Sequence, residues 1–293
     1  YYMPYPKKEH LIAGLGEVLW DVFPDAEKLG GAPANFAAHV QQLGAKTYLL
    51  TALGNDLMGQ KAIALIKDLK VNISGIQLNE DFPTGRVIVS IDSMGNPSYE
   101  IEENAAWDHI EFDSTKQNIA KRLDALCFGT LAQRNSISKN TILKILKSTA
   151  PGCLRVFDVN FRKDFYNPEM VKQSLGLASA VKMNEVEFSV IASMLSLSQN
   201  HKYGLQTLIR KFDLKFGIIT LGEKGAVMAS KDHFCFYSTK NTIKIKSTVG
   251  AGDAFVASAV MGWLDKKPLE QINKEASDLA TYVCSHLEAV PEK

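Results

Sequence analysis

The chain has 293 residues, 46% of them hydrophobic and 22% charged, which is enough for a large core arranged as one big domain or two small ones. A formal net charge of +1 gives no basic surface for nucleic acid and no acidic tail. No apolar run approaches membrane-spanning length, residues 1–10 hold no signal-peptide core, and Cys127, Cys153, Cys235 and Cys284 lack zinc or disulfide spacing, so reduced thiols and a cytoplasmic location are expected.

Leu11–Gly16 reads as a first strand. Its Gly14-x-Gly16 lacks a third glycine and does not open directly into a helix, which excludes a dinucleotide fingerprint. Glu17–Leu29, with Trp20, Asp21, Phe23 and Pro24, reads as a loop or an excursion from the sheet. Gly30-Gly31-Ala32-Pro33-Ala34-Asn35 follows. The glycine pair lets backbone approach a ligand, and Pro33 stiffens the start of a helix over Ala34–Leu43 that Gly44 caps. The Asn35 amide both donates and accepts, as sugar hydroxyls require. Lys46–Leu53 is a strand and Gly59–Leu69 a helix. Thr84–Ser93 and Ser98–Glu102 alternate around Met94-Gly95-Asn96-Pro97, a hairpin of the kind that forms a lid over a cleft.

Beyond Asp113 helices and strands alternate. Helices are predicted at Thr115–Arg122, Ser138–Lys147, Pro168–Ala178, Glu185–Met194 and Tyr203–Phe212. Strands are predicted at Ala125–Gly129, Leu154–Val159, Ala180–Met183 and Phe216–Leu221. This pattern means a parallel sheet with helices on both faces and ligands beyond the carboxyl ends of the strands. Asp158-Val159-Asn160-Phe161-Arg162, Asn184-Glu185-Val186-Glu187 and Thr220-Leu221-Gly222-Glu223-Lys224-Gly225 all lie at such ends.

Ser247-Thr248-Val249-Gly250-Ala251-Gly252-Asp253 carries the most chemistry, with an apolar helical run, Ala254–Leu264, directly after it. Gly250, Ala251 and Gly252 leave backbone N–H groups uncovered at a helix start, an anion hole suited to phosphate. Asp253 beside such a hole suits a general base that takes a proton from an attacking hydroxyl. The same stretch also fits a tight turn with Asp253 as N-cap. Likewise Asn184 and Glu187 fit a capping box, Asp21 an ordinary loop residue, Arg162 a surface ion pair and Thr220–Gly225 a bare turn. No Walker-type loop is present.

The Gly-Gly-x-x-x-Asn motif with Gly44 and Gly54, followed by Thr-x-Gly-Ala-Gly-Asp some two hundred residues later, resembles the two signatures of PfkB-type (ribokinase-like) sugar kinases. Gly16–Asp21, Glu103–Asp108 and Gly129–Arg134 are similar to bacterial fructokinases, and the resemblance runs from about Leu11 to Pro291. It implies a single α/β domain over residues 1–293: a three-layer α/β/α fold with a mostly parallel central sheet and a small β lid from about 17–29 and 83–102. It implies ATP-dependent phosphorylation of fructose on its 6-hydroxyl, with Asp253 as base, Gly250, Ala251 and Gly252 as anion hole and Arg162 near the transferred group. Asp21, Gly30, Gly31 and Asn35 would hold the sugar. Asn184, Thr220, Gly222, Gly225, Gly250 and Gly252 would line the nucleotide site, and Glu187 would bind Mg²⁺ through water. Ser247 stands where the family usually has Asp, and Glu288 where it usually has Gly; both count against K⁺ as a cofactor. Unpaired lid edges favour a homodimer. The other readings are a kinase for another sugar, sugar acid or nucleoside, or a catalytically silent relative that binds without turnover.

Overall fold

The computed structural model describes residues 9–91, 97–239 and 244–292. In chain order its elements are β1 (Leu11–Leu15), β2 (Leu19–Val22), β3 (Glu27–Gly30), α1 (Ala32–Gln42), β4 (Lys46–Gly54), α2 (Leu57–Asp68), β5 (Ile76–Asn79), β6 (Gly85–Ile91) and β7 (Pro97–Ile101). Then come α3 (Ser114–Ala120), β8 (Ala125–Phe128), α4 (Ser136–Ser148), β9 (Leu154–Asp158), α5 (Pro168–Leu177), β10 (Ala180–Asn184), α6 (Glu185–Met194) and α7 (His201–Phe212). The chain closes with β11 (Phe216–Thr220), β12 (Ala226–Ala229), β13 (Phe234–Tyr237), α8 (Ala251–Leu264) and α9 (Leu269–Cys284).

Among the described residues, nine strands pair in the order β13, β12, β11, β10, β9, β8, β1, β4, β5. All neighbours from β11 to β5 run parallel, and β12 and β13 add an antiparallel edge. Strand alternation makes the layers, because successive side chains point to opposite faces. Cys127, Val156, Ala180 and Ile218 join Phe36 and Val40 of α1, Phe255 and Val260 of α8 and Ile272 of α9 in one cluster. Their chain neighbours Phe128, Phe157, Val181 and Ile219 join Ile142 and Ile145 of α4, Leu175 of α5, Phe188 of α6 and Leu205 of α7 on the other face. The expected three layers are therefore present. α8 is buried along Ala254–Gly262, as a helix apolar on all sides must be.

The second sheet has the order β3, β2, β6, β7. Glu17–Leu29, read as a loop or an excursion from the central sheet and as part of the small β lid, supplies β2 and β3 of this sheet, with Trp20 and Leu19 buried. The hairpin turn expected at Met94–Asn96 lies outside the described residues. Arg134, after β8, ties this sheet to the central one. Its Nε and Nη2 donate to the two Asp108 carboxylate oxygens at 2.8 and 2.7 Å, and Nη2 also donates to the Glu102 carbonyl at 2.6 Å just past β7. The guanidinium carbon lies 4.0 Å from the Trp107 ring centre. The two fructokinase-like segments around Trp107 and Arg134 thus meet in a buried scaffold. No helix among the described residues is long and apolar enough to cross a membrane.

Candidate active site

The chemically suggestive residues converge at the carboxyl ends of β1, β9, β10 and β11, where the alternation placed them. Their meeting point is Asp253. Asn35 Nδ2 donates to Asp253 Oδ2 at 2.8 Å, joining the two glycine-rich motifs across 218 positions. The N-cap of α8 is Gly250, so Asp253 sits in the first turn and not at the cap, and the helix starts three residues earlier than the apolar run implied. Gly250 has φ 79°, and a Cβ there would run into the Ala289 carbonyl. Gly250→Ala is expected to cost about 1–3 kcal/mol and to lower turnover with it. A melting curve and a kcat measurement check this, and wild-type values in both would remove the argument.

Burial pushes the Asp253 carboxyl up to about 7, and Asp158 nearby adds to the rise. Asn35, Lys182 and Arg162 oppose the rise. A base with that value is half ionised at neutral pH, the range in which proton transfer is most effective.

The sugar-side residues are organised by the second sheet. Asp21 lies on β2, and a Cβ on Gly30 of the paired β3 would sit 2.8 Å from its Oδ2. Burial raises the Asp21 carboxyl, with Arg162 and Lys28 acting against it. Gly31 caps α1 at φ 108°, and a Cβ there would meet the Glu17 carbonyl at 2.5 Å. Its glycine is therefore required by the backbone turn that presents Asn35. Arg162 is exposed and donates only to the Phe161 carbonyl, at 3.2 Å; among the described residues it forms no ion pair. Its charge acts on the Glu17, Asp21 and Asp253 carboxyls alike, holding each of them down.

On the nucleotide side, Thr220 and Asn184 are directly paired residues on β11 and β10. Gly222 faces open space, whereas the missing side chain of Gly225 makes room for the Tyr237 carbonyl of β13. The β12–β13 hairpin is enough to explain a glycine at 225. Asn184 and Glu187 do form a capping box: Glu187 N donates to Asn184 Oδ1 at 2.8 Å, and Asn184 N to Glu187 Oε2 at 2.7 Å. Phe161 N donates to the other Glu187 oxygen at 3.1 Å. Both oxygens keep a second lone pair, which suits a contact to a metal-bound water better than direct ligation. Among the described residues no cluster of three or more acids, histidines or cysteines is placed to hold a metal ion, so this donor set fits an ion that arrives with the nucleotide and keeps most of its waters.

Two groups that the sequence did not assign to the site belong to it. Glu17, 3% exposed, has no hydrogen-bond partner for Oε2 among the described residues, and burial pushes it up to about 7. Lys182, on β10 opposite Asp158, donates to Asp158 Oδ1 at 3.0 Å in a pair that is closed off from solvent. The one signal for Lys182 was a charge inside an otherwise apolar buried strand, Ala180–Met183, which demands a partner.

Residues 10–292 match the family model described as pfkB family carbohydrate kinase. The uncharacterized sugar kinase PH1459 of Pyrococcus horikoshii is 29% identical over 277 residues, covering 89% of this chain and 84% of that protein. A fructokinase of Salmonella typhimurium is 26% identical over 255 residues, covering 83% and 81%. The solved structure of PH1459 in complex with ATP superposes with a TM-score of 0.83 at 26% identity, covering 95% of this chain and 94% of that one.

Proposed function

Because the chain belongs to the pfkB family of carbohydrate kinases and has its ribokinase-like fold, we propose that it is an ATP-dependent fructokinase, moving the γ-phosphoryl group of ATP to the 6-hydroxyl of fructose. The observation that carries this reading is the Asn35–Asp253 hydrogen bond, which puts the sugar-side motif and the anion-hole motif in one site. Fructose, over another sugar, a sugar acid or a nucleoside, is supported by the fructokinase relative. Phosphorus NMR of the product tests it: fructose 6-phosphate is expected, and a phosphate on another hydroxyl would overturn the assignment.

Asp21 and Asn35 hold the sugar hydroxyls, so that the reacting hydroxyl reaches Asp253. Asp253 takes its proton as the oxygen attacks phosphorus, and the bond to the ADP oxygen breaks. The N–H groups of Gly250 and Gly252, and that of Ala251, which is held only by a long 3.3 Å bond to the Thr248 carbonyl, meet the charge on the transferred group, at the positive end of the α8 dipole. Arg162 swings its planar guanidinium to the same oxygens, giving up only an exposed 3.2 Å hydrogen bond to the Phe161 carbonyl. Asn184, Thr220 and Gly222 border the nucleotide, and Glu187 would hold its magnesium ion through water. Magnesium supplies positive charge to the phosphate oxygens when bound. The second sheet closes over the sugar as a lid, and its outer strands β3 and β7 offer edges for a homodimer, which light scattering in solution checks.

Two consequences are measurable. The base works only when ionised, so kcat/KM is expected to climb with pH through about 7 and to level off above it. A flat profile between pH 5.5 and 8.5, by contrast, would mean that no such group is used. Replacing K⁺ by Na⁺ is expected to change the rate less than about twofold, because no carboxylate stands at Ser247 to neutralise a bound cation. His39 Nε2 also already engages the Ala289 carbonyl beside Gly250, at 2.9 Å. A rate that collapses in Na⁺ would contradict this.

A further inference from the structure

Lys182 is a buried charged group that the mechanism above does not use. It sits on β10 between Val181 and Met183, and its ammonium is turned toward the N-terminus of α8. A Cβ on Gly252 would lie 3.0 Å from Lys182 Nζ, so the absence of a side chain at this anion-hole residue is what lets the ammonium come up under the loop. Asp158, directly opposite on β9, holds Nζ at 3.0 Å. Both side chains are nearly closed to solvent, at 8% and 5% exposure.

A buried ion pair contributes little to stability that an apolar pair would not match, so its position calls for another explanation. Here the pair is wedged between the sheet and the one loop where negative charge must accumulate. The charged and titratable groups around it are few. Asp253 faces Asp158 from β9, Lys182 from β10, Arg162 from the loop after β9 and Glu17 from the loop after β1, with the neutral Asn35 amide from α1. Lys182 in turn faces Asp158, Glu187 of α6, Asp253 of α8 and the buried Cys127 thiol of β8.

We propose that Lys182 is a positioning residue for phosphoryl transfer: pinned by Asp158 and seated under Gly252, its ammonium balances the charge of Asp253 and forms the cationic floor of the anion hole. Burial works against the ammonium, but Asp158 and Glu187 outweigh it and keep it protonated. The two members of the pair act on Asp253 with opposite sign, Lys182 favouring its ionised form and Asp158 opposing it. The proposal rests on the kinase reading with Asp253 as base.

The test is the pH dependence of kcat/KM for Mg·ATP and fructose in three proteins, each checked for folding by thermal melting. Asp158→Asn leaves the ammonium unshared, and the acidic limb is expected to move down by about one pH unit. Adding Lys182→Met in that background removes the ammonium and leaves no lone buried charge. The limb is then expected to move back up by a similar amount, with kcat about tenfold or more below the Asp158→Asn value and the KM for fructose little changed. A limb at the same pH in both variants would overturn the proposal, as would shifts of the same sign. Should Asp158→Asn not fold, the double variant is read against wild type, and a wild-type kcat would overturn it equally. Asp253→Asn separates the two claims: retained turnover there sinks the base assignment, whereas lost turnover with an immobile limb in the pair variants sinks only the role of Lys182.

Discussion

Asp253→Asn is expected to lower kcat by about 10³-fold with the melting temperature and nucleotide affinity close to wild type. The substitution keeps the shape of the side chain, and an amide oxygen can still accept the hydrogen bond from Asn35 Nδ2. What it removes is the carboxylate assigned to take the proton next to the anion hole. The large effect follows from placement: the carboxyl sits in the first turn of α8, where the dipole favours an anion, yet burial and Asp158 hold it up near 7. Such a group changes protonation state at working pH with little driving force in either direction. Steady-state ADP release at saturating fructose reads the effect, and a fall of less than about tenfold would assign the proton to another acceptor.

The largest effect on stability is expected at Arg134. Arg134→Met keeps much of the side-chain volume but leaves Asp108, 2% exposed, without its bidentate partner, and it frees the Glu102 carbonyl. Breaking a buried pair from one side costs about 3–5 kcal/mol. For a chain of this size the midpoint of thermal unfolding falls by roughly 10 °C. Because Arg134 joins the end of β7 to the end of β8, the KM for fructose is expected to rise as the second sheet loses its tie. Replacing both partners, with Asp108→Asn added, is expected to recover part of the stability, as removal of a lone buried charge should. A single variant that melts with wild type would show that the pair does not hold the sheets together.

The layers were legible because short, nearly continuous apolar runs in β8, β9, β10 and β11, alternating along the chain with helical segments, are what burial of a parallel sheet on both faces dictates, and a sequence carries that locally. The start of α8 was legible because three small residues lead directly into an apolar helical run. The second sheet was half legible. Thr84–Glu102 alternates and was read as strands, whereas Glu17–Leu29 breaks its pattern at Phe23, Pro24 and Asp25, the turn between β2 and β3. The β12–β13 edge was missed because four-residue strands such as Ala226–Ala229 are too short to show a period. The Asp158–Lys182 pair was hidden for a different reason. It exists only because β9 and β10 are neighbours in the sheet, and adjacency is a property of topology that neither strand carries by itself. Gly225 shows the reverse case: a glycine in a family-like motif whose reason is the strand behind it.

The central claim is that this site moves phosphate from ATP to a sugar hydroxyl. The most direct measurement is ADP release from Mg·ATP across a panel of sugars, sugar acids and nucleosides, with Asp253→Asn run beside wild type. The account predicts fast turnover with fructose and its loss in the variant. A folded wild-type protein that binds ATP and turns over no member of the panel would contradict it.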